Sequence, residues 1–144
     1  MKKSKLEKCI FCHKPKRKND SDNFILERAK TCFVMLNAFP YNNGHLLISP
    51  YRHIKDVAQL SNSEREELFR LISKYESRIY QTLNAEGINI GINIGKASGA
   101  GFAEHIHIHM VPRWIGDTNF MPALSNTKII PESLSSIYKK LKNA

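Results

Sequence analysis

Residues 104–114 read EHIHIHMVPRW, with His105, His107 and His109 at every second position and Ile106, Ile108, Met110 and Val111 between and beyond them. In a β-strand, residues i, i+2 and i+4 point to one face, successive members roughly 7 Å apart. The spacing therefore predicts a strand with three imidazoles on one face and an apolar stripe on the other. A helix would scatter the rings around its circumference. The whole chain has only 6 histidines, so half of them fall in this one stretch. A solvated edge strand is a poor account of that concentration. Two chemical readings stay open: a metal site, since imidazoles at i and i+2 can share a cation, and nucleophilic catalysis, since a neutral imidazole is a good nucleophile near pH 7.

The rest of the chain sets the frame. Its 144 residues, 42% hydrophobic, suit one domain over 1–144 with a single core. No apolar run reaches the length of a membrane span. The N-terminus MKKSKLEKCIFCHK lacks an apolar stretch, which argues against a signal peptide and makes the cytoplasm the default location. The formal net charge of +9 points to an anionic partner such as a nucleotide, polyphosphate or nucleic acid. Much of it lies at the ends, in the basic segment 1–22 and in the closing SSIYKKLKNA.

The periodicities predict strands at 24–29, 31–37, 45–50 and 87–95 besides the histidine strand, with a turn at 39–44 and loops at 14–23 and 96–101. The clearest helix runs over 60–84, where Leu68, Leu71, Ile72, Tyr75, Ile79 and Leu83 form one face. Ser63 and Glu66 have the capping-box spacing at its start. A last helix is expected at 132–142, with Pro131 at the edge of its first turn. The sum is an α+β fold with a mainly antiparallel sheet.

His105-Ile106-His107-Ile108-His109-Met110-Val111 resembles the signature of the histidine triad (HIT) family of nucleotide hydrolases and transferases. The segment from Asn37 to Pro50, with Asn37 eight positions before His45 of the Gly44-His45 pair, is similar to a second block of that family. The stretch Pro112-Arg113-Trp114 with 116–122 (GDTNFMP) resembles the diadenosine tetraphosphate phosphorylase branch. The resemblance implies that His107 attacks the α-phosphorus of an adenosine nucleotide and forms an adenylyl-histidine. His109 would bind phosphate or leaving-group oxygens, and His45 would complete the cluster. Asn37 would bind ribose. Asn93, Lys96, Ser98 and Gly101 would surround the phosphates. The imidazoles would carry the charge neutralisation, so no catalytic metal is required. Family members carry a hydroxyl residue three positions before the first histidine, where this chain has Phe102. Glu104 has two readings: positioning inorganic phosphate in the site, or pointing to the opposite face.

Cys9-Ile10-Phe11-Cys12-His13 is compatible by itself with haem attachment, a redox pair or half a zinc site. Haem lacks an export signal and a methionine ligand here, and the redox reading lacks its βαβ context. The resemblance supplies the other half of a structural zinc site in His53 and His105, giving Cys₂His₂ with Cys9 and Cys12. His13 is the local competitor, and Cys32 fits a packed small hydrophobe. The implied partners are a dinucleoside polyphosphate, inorganic phosphate or water as acceptor, and a second copy of the chain, because family members pair their sheets. Two alternatives stand beside this: a nucleoside phosphoramidase using the same His107, and a nucleic-acid-binding zinc module built on Cys9, Cys12 and the nearby lysines.

Overall fold

The computed structural model describes residues 9–118 and 130–144. The N-terminal residues 1–8 and the part of the 112–122 likeness from Asn119 onward lie outside the described residues. Five strands, β1 (Ile25–Arg28), β2 (Cys32–Leu36), β3 (Leu46–Pro50), β4 (Gly87–Ile92) and β5 (Ile108–Arg113), form one antiparallel sheet in the order β1-β2-β3-β5-β4. Two short helices, α1 (Ile10–His13) and α2 (Asp20–Asn23), precede the sheet, the second of them within the 14–23 stretch expected to be a loop. The long helix α3 (Asn62–Leu83) joins β3 to β4, and α4 (Leu134–Asn143) closes the chain. The α+β expectation holds. Among the described residues, no helix is long and apolar enough to cross a membrane.

Alternation along the strands divides the side chains between two clusters. Val34, Leu36, Leu46, Ile48, Ile106, Ile108 and Met110 pack with Leu68, Leu71, Tyr75 and Ile79 of α3 and with Ile137 and Leu141 of α4. Phe33, Met35 and Leu47 face the other way and pack with Cys9, Phe11 and Ile25. The apolar half of the histidine stretch thus sinks into the main core, and the histidines take the opposite face. Cys32 is buried within the main cluster, as a small hydrophobe should be.

The capping box of α3 lies one half-turn earlier than expected. Ser61 is the N-cap, its side chain accepts from the Glu64 amide, and Glu64 reaches back to the Ser61 amide at 2.8 Å. Ser63 and Glu66 have the same spacing, but the three-residue pattern alone does not say which serine ends the helix. Glu64 wins because it is also gripped by Arg52, Nε at 2.7 Å and Nη2 at 2.6 Å. That grip holds the Glu64 carboxyl down to about 2 and ties the segment containing His53 to the start of α3. Pro131 likewise falls outside α4, whose N-cap is Ser133.

The three histidines do not all sit in a strand. β5 starts at Ile108, and His105 to His107 precede it. Their would-be neighbours have turned away: β3 pairs with β5 only from Leu46 to Ile48, and β4 ends at Ile92. Other bonds hold the segment. The Ile106 amide donates to the Ile54 carbonyl at 2.7 Å, and Ser49 Oγ donates to the Ile106 carbonyl at 3.0 Å. The alternation of faces survives without the full ladder.

Past β5, Asp117 clamps the strand end to the 39–44 turn. It accepts from Arg113 Nε at 2.6 Å and Nη2 at 2.8 Å, and from Asn42 Nδ2 at 2.7 Å. Gly44 ends that turn with φ +74, and a Cβ there would collide with Leu83 Cδ1. The next residue is His45. Gly44→Ala combines an unfavourable backbone with a steric clash and should destabilise the protein by about 2 kcal/mol or more. Thermal unfolding of the variant would check this, and an unchanged Tm would contradict the packing described.

Candidate nucleotide and metal site

Four imidazoles, from His45, His105, His107 and His109, are buried within one continuous network. Their hydrogen-bond partners assign the tautomers. The Tyr41 amide donates to His45 Nδ1 at 3.0 Å, so His45 carries its proton on Nε2. His45 Nε2 donates in turn to His109 Nδ1 at 2.8 Å, which leaves the His109 proton on Nε2. That Nε2–H is buried and has no partner among the described residues. His107 is the reverse case: its Nδ1–H donates to the His105 carbonyl at 2.7 Å, and its Nε2 keeps a lone pair. His105 donates from Nε2 to the Pro50 carbonyl at 2.9 Å, and its Nδ1 faces the cysteines. Adjacent triad members therefore present different atoms: a lone pair facing the cysteines on His105, a lone pair on His107 Nε2 and an N–H on His109.

Burial favours the neutral form of the three triad rings. It lowers His109 to about 4, with the neighbouring His107 charge adding to the effect. His107 is also lowered by burial, against the opposing pull of its bond to the His105 carbonyl. Neutral imidazoles are the form required for an attacking or ligating nitrogen.

A cleft of about 260 Å³ opens in front of His107 and His109, with Ile10, Phe11, Asn37, Phe39, Tyr41 and Phe102 among its walls. Most of the lining is apolar and aromatic, with few polar groups, the usual composition of a small-molecule site. Asn37 already accepts from the Phe39 amide at 3.0 Å, which sets the rim of the cleft. Gly101 also lines the cleft, and Asn93 lines an adjoining trough. Lys96, Ser98 and Glu104 are exposed and line neither. Ser98 spends its hydroxyl on the Gly95 carbonyl at 2.7 Å. Phe11 is a residue the sequence reading passed over. It stacks on His107 with centroids 4.5 Å apart and planes at 24°. Its place between two candidate ligands hid it, although an aromatic inside C-x-x-C is a visible signal.

Cys9, Cys12, His53 and His105 come together with all four ligand atoms within 4.8 Å of one another. Cys9 Sγ lies 3.3 Å from His105 Nδ1, and Cys12 Sγ lies 3.3 Å from His53 Nδ1 and 3.5 Å from His105 Nδ1. Tetrahedral bonding at Zn–S and Zn–N lengths requires S···N edges of about 3.5 Å. The donor set and its spacing therefore fit a closed tetrahedral metal site. The Pro50 carbonyl bound to His105 Nε2 is the kind of outer partner that orients a ligating imidazole. Burial pushes the Cys9 thiol up to about 11, an effect that a bound cation would reverse. His13 is not part of the group; its Nε2 is taken by Arg17, with Nη2 at 2.9 Å.

A HIT domain model matches residues 17–114. The chain is 37% identical over 116 residues to AP-4-A phosphorylase of Mycobacterium tuberculosis, an alignment covering 81% of this chain and 60% of that protein. It thus spans less than two thirds of that relative's length. It is 32% identical over 89 residues to the asymmetrical bis(5'-nucleosyl)-tetraphosphatase of Schizosaccharomyces pombe, covering 62% and 48% of the two chains. A zinc-bound histidine triad protein from Mycobacterium smegmatis superposes with a TM-score of 0.73 at 24% identity, covering 96% of this chain and 93% of the other. With the triad, the sheet and the match over most of its length, the chain belongs to the histidine triad family.

Proposed function

We propose that this protein is a nucleotidyl transferase or hydrolase that cleaves diadenosine tetraphosphate at an α-phosphate through a covalent adenylyl-His107 intermediate. The observation that carries this is the pairing of atoms at the cleft: a lone pair on His107 Nε2 beside an unpartnered N–H on His109. The nucleoside would lie among Phe11, Phe39 and Phe102, with its ribose toward Asn37. His107 Nε2 would form a bond to the α-phosphorus as the bridging P–O bond breaks and ATP departs. The resulting phosphorylated imidazole carries positive charge, which the His105 carbonyl stabilises through the Nδ1–H. ATP leaves as an anion that needs no proton at neutral pH, so the His109 N–H has only to donate a hydrogen bond to the leaving oxygen. Phosphate attacking the intermediate would yield ADP; water would yield AMP. The likeness to AP-4-A phosphorylase favours phosphate. Glu104, Lys96 and Ser98 are not needed for this scheme.

The Cys9, Cys12, His53 and His105 group would hold structural zinc. Such an ion would fix His105, and through its carbonyl the His107 ring. The unpaired edge of β4, with Ile90, Ile92 and Ile94 exposed, is the surface on which a second copy would extend the sheet.

Three outcomes test this reading. His107→Ala should lower turnover of diadenosine tetraphosphate at least about a thousandfold without unfolding the protein. A product assay run with and without inorganic phosphate would read both the loss and the acceptor, and near-normal turnover in the variant would sink the mechanism. Cys12→Ser should strip the purified protein of most of its zinc, measured by elemental analysis; a full complement of metal would refute the ligand set. The pH profile of kcat/KM should keep its acid limb below about pH 6.5, the ordinary histidine value. Burial lowers the His107 pKa, so the attacking nitrogen stays unprotonated to a lower pH than in a free imidazole. An acid limb centred above 7 would be inconsistent with a buried, neutral nucleophile.

A further inference from the structure

Tyr41 makes two separate contacts with the imidazole network. Its amide donates to His45 Nδ1 at 3.0 Å, which Asn37 Nδ2 also reaches at 3.4 Å. Its ring lies over His45 with centroids 4.6 Å apart, and it stacks on His109 with planes at 12° and centroids 5.7 Å apart. The half-exposed side chain belongs to neither apolar cluster, so core packing does not account for its place. The backbone beneath it is held from the next residue: Asn42 Nδ2 donates to the Pro112 carbonyl at 3.1 Å and to Asp117 Oδ2 at 2.7 Å. His109 needs such a neighbour. The Cβ–Cγ torsion of a histidine is broad, because an sp³–sp² bond has no sharp staggered wells. The bond from His45 Nε2 at 2.8 Å fixes where His109 Nδ1 lies but leaves the ring able to rock about that contact. Among the described ring neighbours of His109, His45 and His107 are tilted by 44° and 59°, and Tyr41 alone is near parallel. An offset stack of this kind opposes rocking and settles the ring plane. One contact fixes a point, the other a plane, and together they set the direction of the His109 Nε2–H.

We infer that Tyr41 is a positioning residue for the first chemical step: its amide begins, and its ring steadies the end of, a chain of aligned donors running through His45 and His109 to the leaving oxygen. The inference rests on the mechanism given under Proposed function. Each N–H in the chain points at the next acceptor, so the dipoles add and strengthen the last donor. No proton changes hands along it. The bridging P–O bond breaks with its electron pair on the leaving oxygen, which departs as an anion. A hydrogen bond weakens steeply as its angle closes, so a rocking His109 ring would fail at the atom where negative charge develops. The amide of Tyr41 belongs to any residue at that position; the flat face belongs to an aromatic one.

Two variants separate the face from the rest of the residue. Tyr41→Leu keeps the amide and an apolar side chain but removes the flat ring; Tyr41→Phe keeps both amide and ring. Formation of ATP from diadenosine tetraphosphate in a single turnover reads the step in which His109 donates, and titration calorimetry with AMP reads ground-state binding. Tyr41→Leu should slow ATP formation at least about tenfold, while its AMP affinity stays within about threefold of wild type. Tyr41→Phe should restore the rate to within about threefold of wild type. A leucine variant as fast as wild type would overturn the inference. So would one whose AMP affinity falls in proportion to its rate, since Tyr41 would then be a wall of the nucleotide site. A phenylalanine variant as slow as the leucine one would place the role in the hydroxyl and overturn it too. In each of these cases a wild type that forms ATP leaves the mechanism itself standing. A wild type that forms none would remove that mechanism, and this inference with it.

Discussion

Burying several imidazoles side by side is the constraint around which this structure is arranged. A polar ring taken out of water costs several kcal/mol unless its nitrogens find partners, and neighbouring rings cannot all be charged. The protein meets both demands with a directed set of hydrogen bonds. The Tyr41 amide fixes His45, His45 fixes His109, the His105 carbonyl fixes His107, and the Pro50 carbonyl fixes His105. Each bond commits one nitrogen and thereby decides what the other can do. The reactive atoms are those the network leaves over.

That network draws on distant parts of the chain, which explains how the scaffold is built. Tyr41 and His45 belong to a turn whose entry into β3 needs Gly44 and whose position relative to β5 is set by Asp117 and Arg113. Pro50 ends β3 at the point where its carbonyl meets His105. His53 follows on a segment anchored to α3 by Arg52 and Glu64. The long helix thus acts on the site indirectly, by holding the peptide that brings the fourth candidate metal ligand. The metal group and the cleft are joined at two points: His105 contributes a ligand atom to one and a carbonyl to the other, and Phe11 sits between Cys9 and Cys12 while stacking on His107.

Much of this was legible in the residues. Strict alternation from His105 to Met110 established that polar and apolar side chains would separate to two faces. The three- and four-residue spacing of Leu68, Leu71, Tyr75 and Ile79 specified a helix burying one stripe, and all four are buried. Local patterns were less decisive where two registers fitted equally. Ser61 and Ser63 both head a serine-to-glutamate spacing, and the choice fell to Arg52, twelve residues from Glu64 and invisible to any short window. The start of β5 was misplaced for the same reason: strand ends depend on whether neighbouring strands continue, and β3 and β4 do not.

The sequence by itself determined which residue types would face which side, because side-chain periodicity is a property of the backbone alone. It also supplied the grouping of Cys9, Cys12, His53 and His105, though only through likeness to a family, since no spacing rule links positions so far apart. Tertiary structure decided the rest. Tautomers depend on which group lies within reach of each ring, and for His105 and His109 the partners, the Pro50 carbonyl and the His45 ring, come from distant parts of the chain. The cleft residues Phe11, Phe39 and Phe102 converge only once the sheet is assembled, and Lys96, Ser98 and Glu104 fall outside it although they lie closer in sequence to the triad than Phe39 does.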